Sequence, residues 1–324
     1  MPCYHPMPAV RMTDGSVKFI SRNKRGVDGS LELPCGQCIG CRLERSRQWA
    51  MRCLHESSLH EQNAFITLTY DEANIPPGGS LNYRDFQLFM KRLRKVTGKV
   101  SFYCGGEYGE ITGRPHYHAC IFGFDFPDKQ YFSKSSDGSK LYTSALLARL
   151  WPLGLSTTGD VTFASAAYIA RYCVQKVTGD AAEAHYRVIT DDGEIIDRRP
   201  EFNKMSLNPA VGKRWLEKYM SDVYPRDYVI VNGVKTKPPK YYDTMFESIN
   251  PGEYSEIVAR RELDAGEKMQ KLTSMGIAYQ QTKRDVFNDA LKKGLDPKNA
   301  DLLSNIIAVA AGASSSINPL EFNI

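Results

Sequence analysis

Two runs of strand-type residues, "VSFYCGGE" (Val100–Glu107) and "PHYHACIFGF" (Pro115–Phe124), are separated by a short stretch bounded by Gly109 and Gly113. Turn residues between aromatic and β-branched runs predict a hairpin, and a hairpin predicts antiparallel pairing. The flanking segments extend the pattern. "AFITLTY" (Ala64–Tyr70) reads as a strand, and "NYRDFQLFMKRLRKV" reads as a helix from the spacing of Phe86, Phe89, Met90 and Leu93. After the hairpin come a helix near "SALLARLW", a short strand "GDVTFA" and a helix "SAAYIARYCVQKV". The order β-α-β-β-α-β-α predicts an α+β core, a central antiparallel sheet with helices on one face.

Around that core the chain divides by composition. Residues 1–60 comprise an irregular segment to residue 41, holding Cys3, Cys35, Cys38 and Cys41, and a basic helix, "RLERSRQWAMRCLHESSLH". Residues 61–255 hold the core and two further hairpins, signalled by Asp192-Gly193 and by Asn232-Gly233. Residues 256–324 read as a charged helical tail. There is no internal repeat and no Walker loop: "AVGKRW" lacks the upstream glycine and the Ser/Thr. ATP-driven unwinding is therefore assigned to another protein.

Charge sets few limits. A net charge of +5 permits a nucleic-acid partner without requiring one. The first twenty residues read as no secretory signal, and "IIAVAAGA" is too short to span a bilayer. The expected location is a reducing cytoplasm with no membrane partner. There, eight cysteines argue against a disulfide framework.

Three constellations could carry chemistry. His116 and His118 are two apart on a strand, so both imidazoles project from one face. The hairpin would bring Glu107 across from them, giving two nitrogens and a carboxylate with coordination positions left open. Such a set suits Mg²⁺ or Mn²⁺ on a phosphate oxygen at least as well as Zn²⁺. Glu110, in the turn, is the second-ranked carboxylate. Tyr168 and Tyr172 are four apart on a helix and share a face, and Lys176 extends the same stripe. A cation beside a phenol lowers its pKa and makes it a usable nucleophile. Cys35, Cys38 and Cys41 have the spacing of a metal site, with Cys3 as the fourth ligand and His5 in reserve. Zinc is the expected ion there, an iron–sulfur cluster the alternative. Arg42, Arg45, Arg47 and Arg52 on the first helix, with Lys91, Arg92, Arg94, Lys95 and Lys99 on the next, could track phosphates.

"FITLTYDEANIP", "GRPHYHACIFG" and "YIARYCVQK" together resemble the three ordered motifs of the His-hydrophobe-His (HUH) rolling-circle endonucleases. The double tyrosine, "PCGQCIGCRLERSRQWAMR" and "DVYPRDYVIVNGVKTKPPKYYD" resemble the replication initiators of gokushovirus-type microviruses. The resemblance covers roughly residues 1–255, and it implies an HUH core of ferredoxin or RRM-like type. It assigns Glu107, His116 and His118 to a divalent metal, Tyr168 and Tyr172 to nucleophilic attack on single-stranded DNA, Lys176 to their support and Arg114 to DNA contact. Three residues separate Tyr172 from Lys176 where two are usual in related initiators. The implied product is a 5′-phosphotyrosine with a free 3′-OH that primes a host polymerase. Implied partners are a single-stranded or supercoiled viral DNA origin and a host helicase, in the cytoplasm of an infected bacterium, with no small-molecule substrate. Tyr172 is the favoured first nucleophile, being one turn from Lys176. The rival readings are a zinc-stabilised single-strand-binding protein without catalysis and a related transposase or relaxase.

Overall fold

A computed structural model describes residues 3–14, 16–20, 30–109, 112–135, 138–177, 181–190, 192–224, 226–231 and 233–274, with backbone alone at 30, 171–175, 181 and 268–274. Glu110, Asn232, the side chain of Tyr172 and the tail from residue 275 lie outside the described residues. In chain order the elements are β1 (Met7–Arg11), β2 (Val17–Phe19), β3 (Ser30–Leu33), α1 (Ile39–Ser57), β4 (Asn63–Thr69), α2 (Tyr83–Thr97), β5 (Ser101–Tyr108) and β6 (Pro115–Phe122). Then come β7 (Gln130–Lys134), β8 (Lys140–Thr143), α3 (Ala145–Leu150), β9 (Ser156–Gly159), α4 (Phe163–Gln175), α5 (Ala181–Tyr186), β10 (Arg187–Ile189), β11 (Ile195–Asp197) and β12 (Phe202–Met205). The remainder is α6 (Lys213–Val223), β13 (Val229–Val231), β14 (Val234–Thr236), α7 (Lys240–Ile249) and α8 (Pro251–Ser274).

Compactness divides the chain at 45/46 and 219/220 rather than at the compositional boundaries, because α1 and α6 each give one end to each unit. The continuous unit, Ser46–Tyr219, holds a seven-stranded sheet in the order β12-β5-β6-β4-β9-β8-β7. All its pairings are antiparallel. On one face Phe86, Phe89, Met90 and Leu93 of α2, with Leu147 and Leu150 of α3, pack on Ile66, Leu68, Tyr117, Ala119 and Ile121. On the other, Ala50 and Cys53 of α1 and Ala166, Ile169 and Ala170 of α4 pack on Tyr103, Cys120 and Phe122. Helices therefore cover both faces, not one. The central strands β5 and β6 are buried along almost their whole length, which requires cover on each side.

Two other expectations are corrected. The strand expected at "GDVTFA" lies earlier, at Ser156–Gly159, because Thr162 caps α4 by accepting from Ser165 N. The β7–β8 hairpin and the edge strand β12 were not foreseen. Nor is the amino-terminal segment irregular: β2, β1 and β3 form a three-stranded antiparallel sheet. The other unit, residues 1–45 and 220–324, holds that sheet, the β13–β14 hairpin, α7 and α8. There the Arg261 guanidinium donates to both Asp243 oxygens at 2.9 and 3.0 Å and to Asp227 at 2.7 Å, tying α8 to α7 and to the loop before β13.

Candidate active site

The sheet register explains why two histidines flank a tyrosine. Alternation along β6 sends Tyr117 into the α2 side, where its hydroxyl donates to Asn82 O at 2.8 Å. His116 and His118 point the other way, under α4. Glu107 on β5 lies directly opposite His116, and Gly105 directly opposite His118. The Glu107 Oε1 atom lies 2.5 Å from His116 Nε2 and 2.9 Å from His118 Nε2. Glu107 and His118 are buried, and His116 is nearly so.

The outer ring nitrogens are also fixed. His116 Nδ1 donates to the Arg114 carbonyl at 3.0 Å, and His118 Nδ1 meets the Thr67 hydroxyl at 2.9 Å. A carbonyl can only accept, so neutral His116 would aim the Nε2 lone pair at a carboxylate oxygen. That arrangement is stable only with positive charge between them, a proton or a bound cation. Burial opposes charge on Glu107, but hydrogen bonds from the two histidines outweigh it and hold its carboxyl below the usual range. Burial disfavours charge on His116 too, yet the hydrogen bond and charge of Glu107 prevail and raise its pKa. At His118 burial wins and the pKa falls. The three ligand atoms lie within 4.8 Å of one another, and each imidazole has its outer nitrogen engaged, as metal-bound histidines require. The donor set fits Mg²⁺ or Mn²⁺.

Helix α4 carries Tyr168 to this cluster. Its ring stands edge-on to His118, with centroids 5.0 Å apart and an interplanar angle of 82°, and the residue is 39% exposed. The close approach depends on Gly105. A Cβ there would lie 3.1 Å from Ile169 Cγ2 and 3.4 Å from Ile169 O. From β12, Asn203 Nδ2 donates to Ile169 O at 3.0 Å and fixes the helix. The backbone of Tyr172 lies in the same helix. Lys176 does not extend the helical stripe as expected: α4 ends at Gln175, and Lys176 is its cap with ψ at 119°. The next amide, Val177 N, donates to Tyr186 OH at 3.0 Å, which draws the chain away from the helix axis.

In the other unit, Cys3, Cys35, Cys38 and Cys41 form a second group within 4.8 Å. The Cys3 and Cys38 sulfurs are 3.7 Å apart. Tetrahedral zinc with Zn–S near 2.3 Å separates its sulfurs by about 3.8 Å. Gly36, at φ 72°, turns the loop so that Cys38 N donates to Cys35 Sγ at 3.3 Å, and Cys35 N donates to Cys3 Sγ at 3.2 Å. Burial opposes ionisation of Cys35, but backbone donors from Cys38 and Gln37 lower its thiol to about 6, while burial raises the Cys41 and Cys3 thiols. The donor set fits a structural zinc.

A profile of the family described as Replication-associated protein ORF2/G2P matches residues 63–177, the span from β4 to the end of α4. The chain is 32% identical over 299 residues to Replication-associated protein VP4 of Bdellovibrio phage phiMH2K, covering 89% of this chain and 88% of that protein. The chain belongs to the phage replication-associated proteins of microvirus type. Replication-associated protein ORF2 of Spiroplasma virus 4 is 29% identical, over 72% of this chain and 73% of that one. For Replication-associated protein ORF4 of Chlamydia phage 1 the figures are 26%, 68% and 55%. No solved structure is a significant match. Membership of this family carries a role in the initiation of phage DNA replication.

Within this replication-associated protein the arginines divide. Arg47 and Arg52 are buried: Arg52 donates to Val211 O through two nitrogens and stacks on Trp49, with Cζ 4.0 Å from the ring. These two serve packing, which corrects the phosphate track expected along α1. Arg92 and Arg94 are likewise directed to the carbonyls of Leu150 and Val100. Arg42 is half-buried and Arg45 is exposed. Arg114 donates to Tyr70 O at 2.8 Å and pairs with Glu72. Thr67, Gly105 and Asn203 were missed by sequence reasoning, since each acts through a register or a contact that no local pattern displays. No helix among the described residues is long and apolar enough to cross a membrane.

Proposed function

We propose that the chain is a metal-dependent nicking and joining endonuclease that starts rolling-circle replication on single-stranded DNA of a viral origin, inside the infected host cell. The observation that carries this reading is His116, whose carbonyl-bound Nδ1 leaves Nε2 facing Glu107 in a cluster that Tyr168 overhangs. Its fold would then be of HUH type. Bound at Glu107, His116 and His118, Mg²⁺ or Mn²⁺ would supply positive charge to a phosphodiester oxygen. The chain's own residues do the rest. Glu107, His116 and His118 would hold the cation, and α4 holds Tyr168 against His118. The Tyr168 oxygen bonds to phosphorus as the P–O3′ bond breaks; the phenolic proton passes to solvent, and the leaving oxygen takes one up as a free 3′-OH. Tyr172, one turn along α4, would perform the second transfer that rejoins the displaced strand, the reverse of the order expected from Lys176, because α4 ends before that residue. The tyrosyl phosphodiester conserves the bond energy, consistent with the missing Walker loop.

The experiment is adduct formation. Incubated with circular viral DNA and Mn²⁺, the protein should give a DNA-linked band under denaturing conditions. EDTA and the Tyr168→Phe/Tyr172→Phe variant should each abolish it. An adduct that survives both tyrosine changes would place the nucleophile elsewhere, and binding without any adduct would favour a non-catalytic single-strand-binding protein.

A further inference from the structure

The proposed chemistry makes no use of the far edge of the seven-stranded sheet, where β7 and β8 form a hairpin. Two large rings stand open there: Tyr131 is 61% exposed and Phe132 is 53% exposed. The register slips between Tyr131 and Ser133, so Phe132 is the extra residue of a bulge. Tyr142 pairs with Tyr131, their rings edge-to-face at 6.3 Å. One row separates that pair from the next on the same face, Lys134 directly opposite Lys140, both exposed. Neither lysine has an ion-pair partner among the described residues. Like charges directly opposite across two strands repel. Lysines on an edge strand also discourage pairing with another sheet, but that role leaves the two open rings unexplained.

We propose that this hairpin binds single-stranded DNA, with bases stacking on Tyr131 and Phe132 and phosphates neutralising the Lys134–Lys140 pair. Rings beside unpaired ammonium groups are the combination that holds a flexible strand without reading its sequence. The inference rests on the reading that single-stranded DNA is the substrate. The hairpin's place in the sheet says which part of that strand it takes. Tyr142 pairs with Thr158, and Thr158 with Ile66, whose side chain lies in the α2 core. The tyrosine and lysine pairs therefore project from the face opposite the Glu107 cluster, four strands and about 19 Å away at the usual spacing. The hairpin holds DNA flanking the cleavage point, not the scissile nucleotide.

The test is fluorescence anisotropy of labelled poly-dT with the full chain over a range of salt. Tyr131→Ala/Phe132→Ala should weaken binding about tenfold or more, the expected effect of losing stacked bases. Lys134→Gln/Lys140→Gln should make the slope of log K against log salt shallower by about 1.4, since each single-strand phosphate contributes about 0.7. All four side chains are exposed, so neither variant depends on repacking a core. If both variants match the wild type in affinity and slope, the proposal is overturned and a protein partner becomes the better occupant. Wild-type protein that binds no poly-dT would overturn this inference together with the substrate reading; nicking by wild type alongside unchanged variants would overturn this inference alone.

Discussion

The Thr67 hydroxyl can either donate to His118 Nδ1 or accept from it, so it suits the ring in each of its states. With a cation on Nε2 the ring must be a donor at Nδ1, and threonine accepts; with the cation gone the roles reverse. A hydroxyl therefore orients His118 in both states, and a methyl group of the same size can do neither. Thr67→Val should weaken Mn²⁺ binding about 10–100-fold, as read by titration calorimetry, while leaving the melting temperature nearly unchanged. Equal affinities in the two proteins would remove His118 from the metal set. His116 and His118 were legible from sequence because period-two alternation is a local property. Thr67 was not, because its place opposite His118 depends on the register between β4 and β6.

At the scale of elements, the decisive contact is α4 lying on β5. Gly105 permits it, and the added methyl of Gly105→Ala would press on both the side chain and the carbonyl of Ile169. Overpacking of this kind costs about 1–3 kcal/mol, and the helix is the part free to yield. The variant should keep its metal affinity, because the cluster belongs to β5 and β6, yet lose nicking because Tyr168 is displaced. A variant that nicks normally would show that the Tyr168–His118 geometry is not needed. The glycine pair in "CGGE" was visible in the sequence, but only the structure shows the helix above it. Strands rich in apolar residues were legible; β7, β8 and β12 were not. They carry Tyr131, Lys134, Lys140 and Lys204 in the open; β7 leaves four of its five residues exposed and neither β8 nor β12 has a fully buried residue, so little hydrophobic alternation is there to read. The Asp137-Gly138 turn signal was present between β7 and β8, but the surrounding serines and lysines mask it as a loop.

For the whole molecule, stability couples to pH through His55, which is buried in α1 and stacked on Trp215 with ring centroids 3.6 Å apart. Burial lowers its pKa to about 4 from an ordinary value of 6.5. Between those values the unfolded chain binds a proton that the folded chain refuses, so stability is complete above pH 6.5 and falls as pH drops toward 4. The loss attributable to His55 is about 3 kcal/mol. His55→Phe keeps the stack and should flatten this part of the stability–pH curve in chemical denaturation; an unchanged curve would mean that the ring titrates normally.

The division of the chain was the least legible feature, because composition runs along the sequence while contacts join its distant parts. Residues 1–45 and those from 220 onward form one unit, within which Arg261 links Asp243 and Asp227. The cysteine cluster belongs to that unit, and its four sulfurs lie too near one another to ionise together without a cation. Structural zinc sites contribute directly to folding, and the Sγ spacing is that of tetrahedral thiolate ligands. Wild-type protein should therefore retain zinc through dialysis, and Cys38→Ser should lose it. If the change costs about 2 kcal/mol, the melting temperature should drop by about 4–8 °C. Nicking per folded molecule should persist, because none of the Glu107 ligands lies in this unit. Elemental analysis that finds no zinc in the wild type, or finds iron with acid-labile sulfide, would rule out a zinc centre. Zinc loss that abolished nicking in protein still folded would show that the cysteines take part in the chemistry.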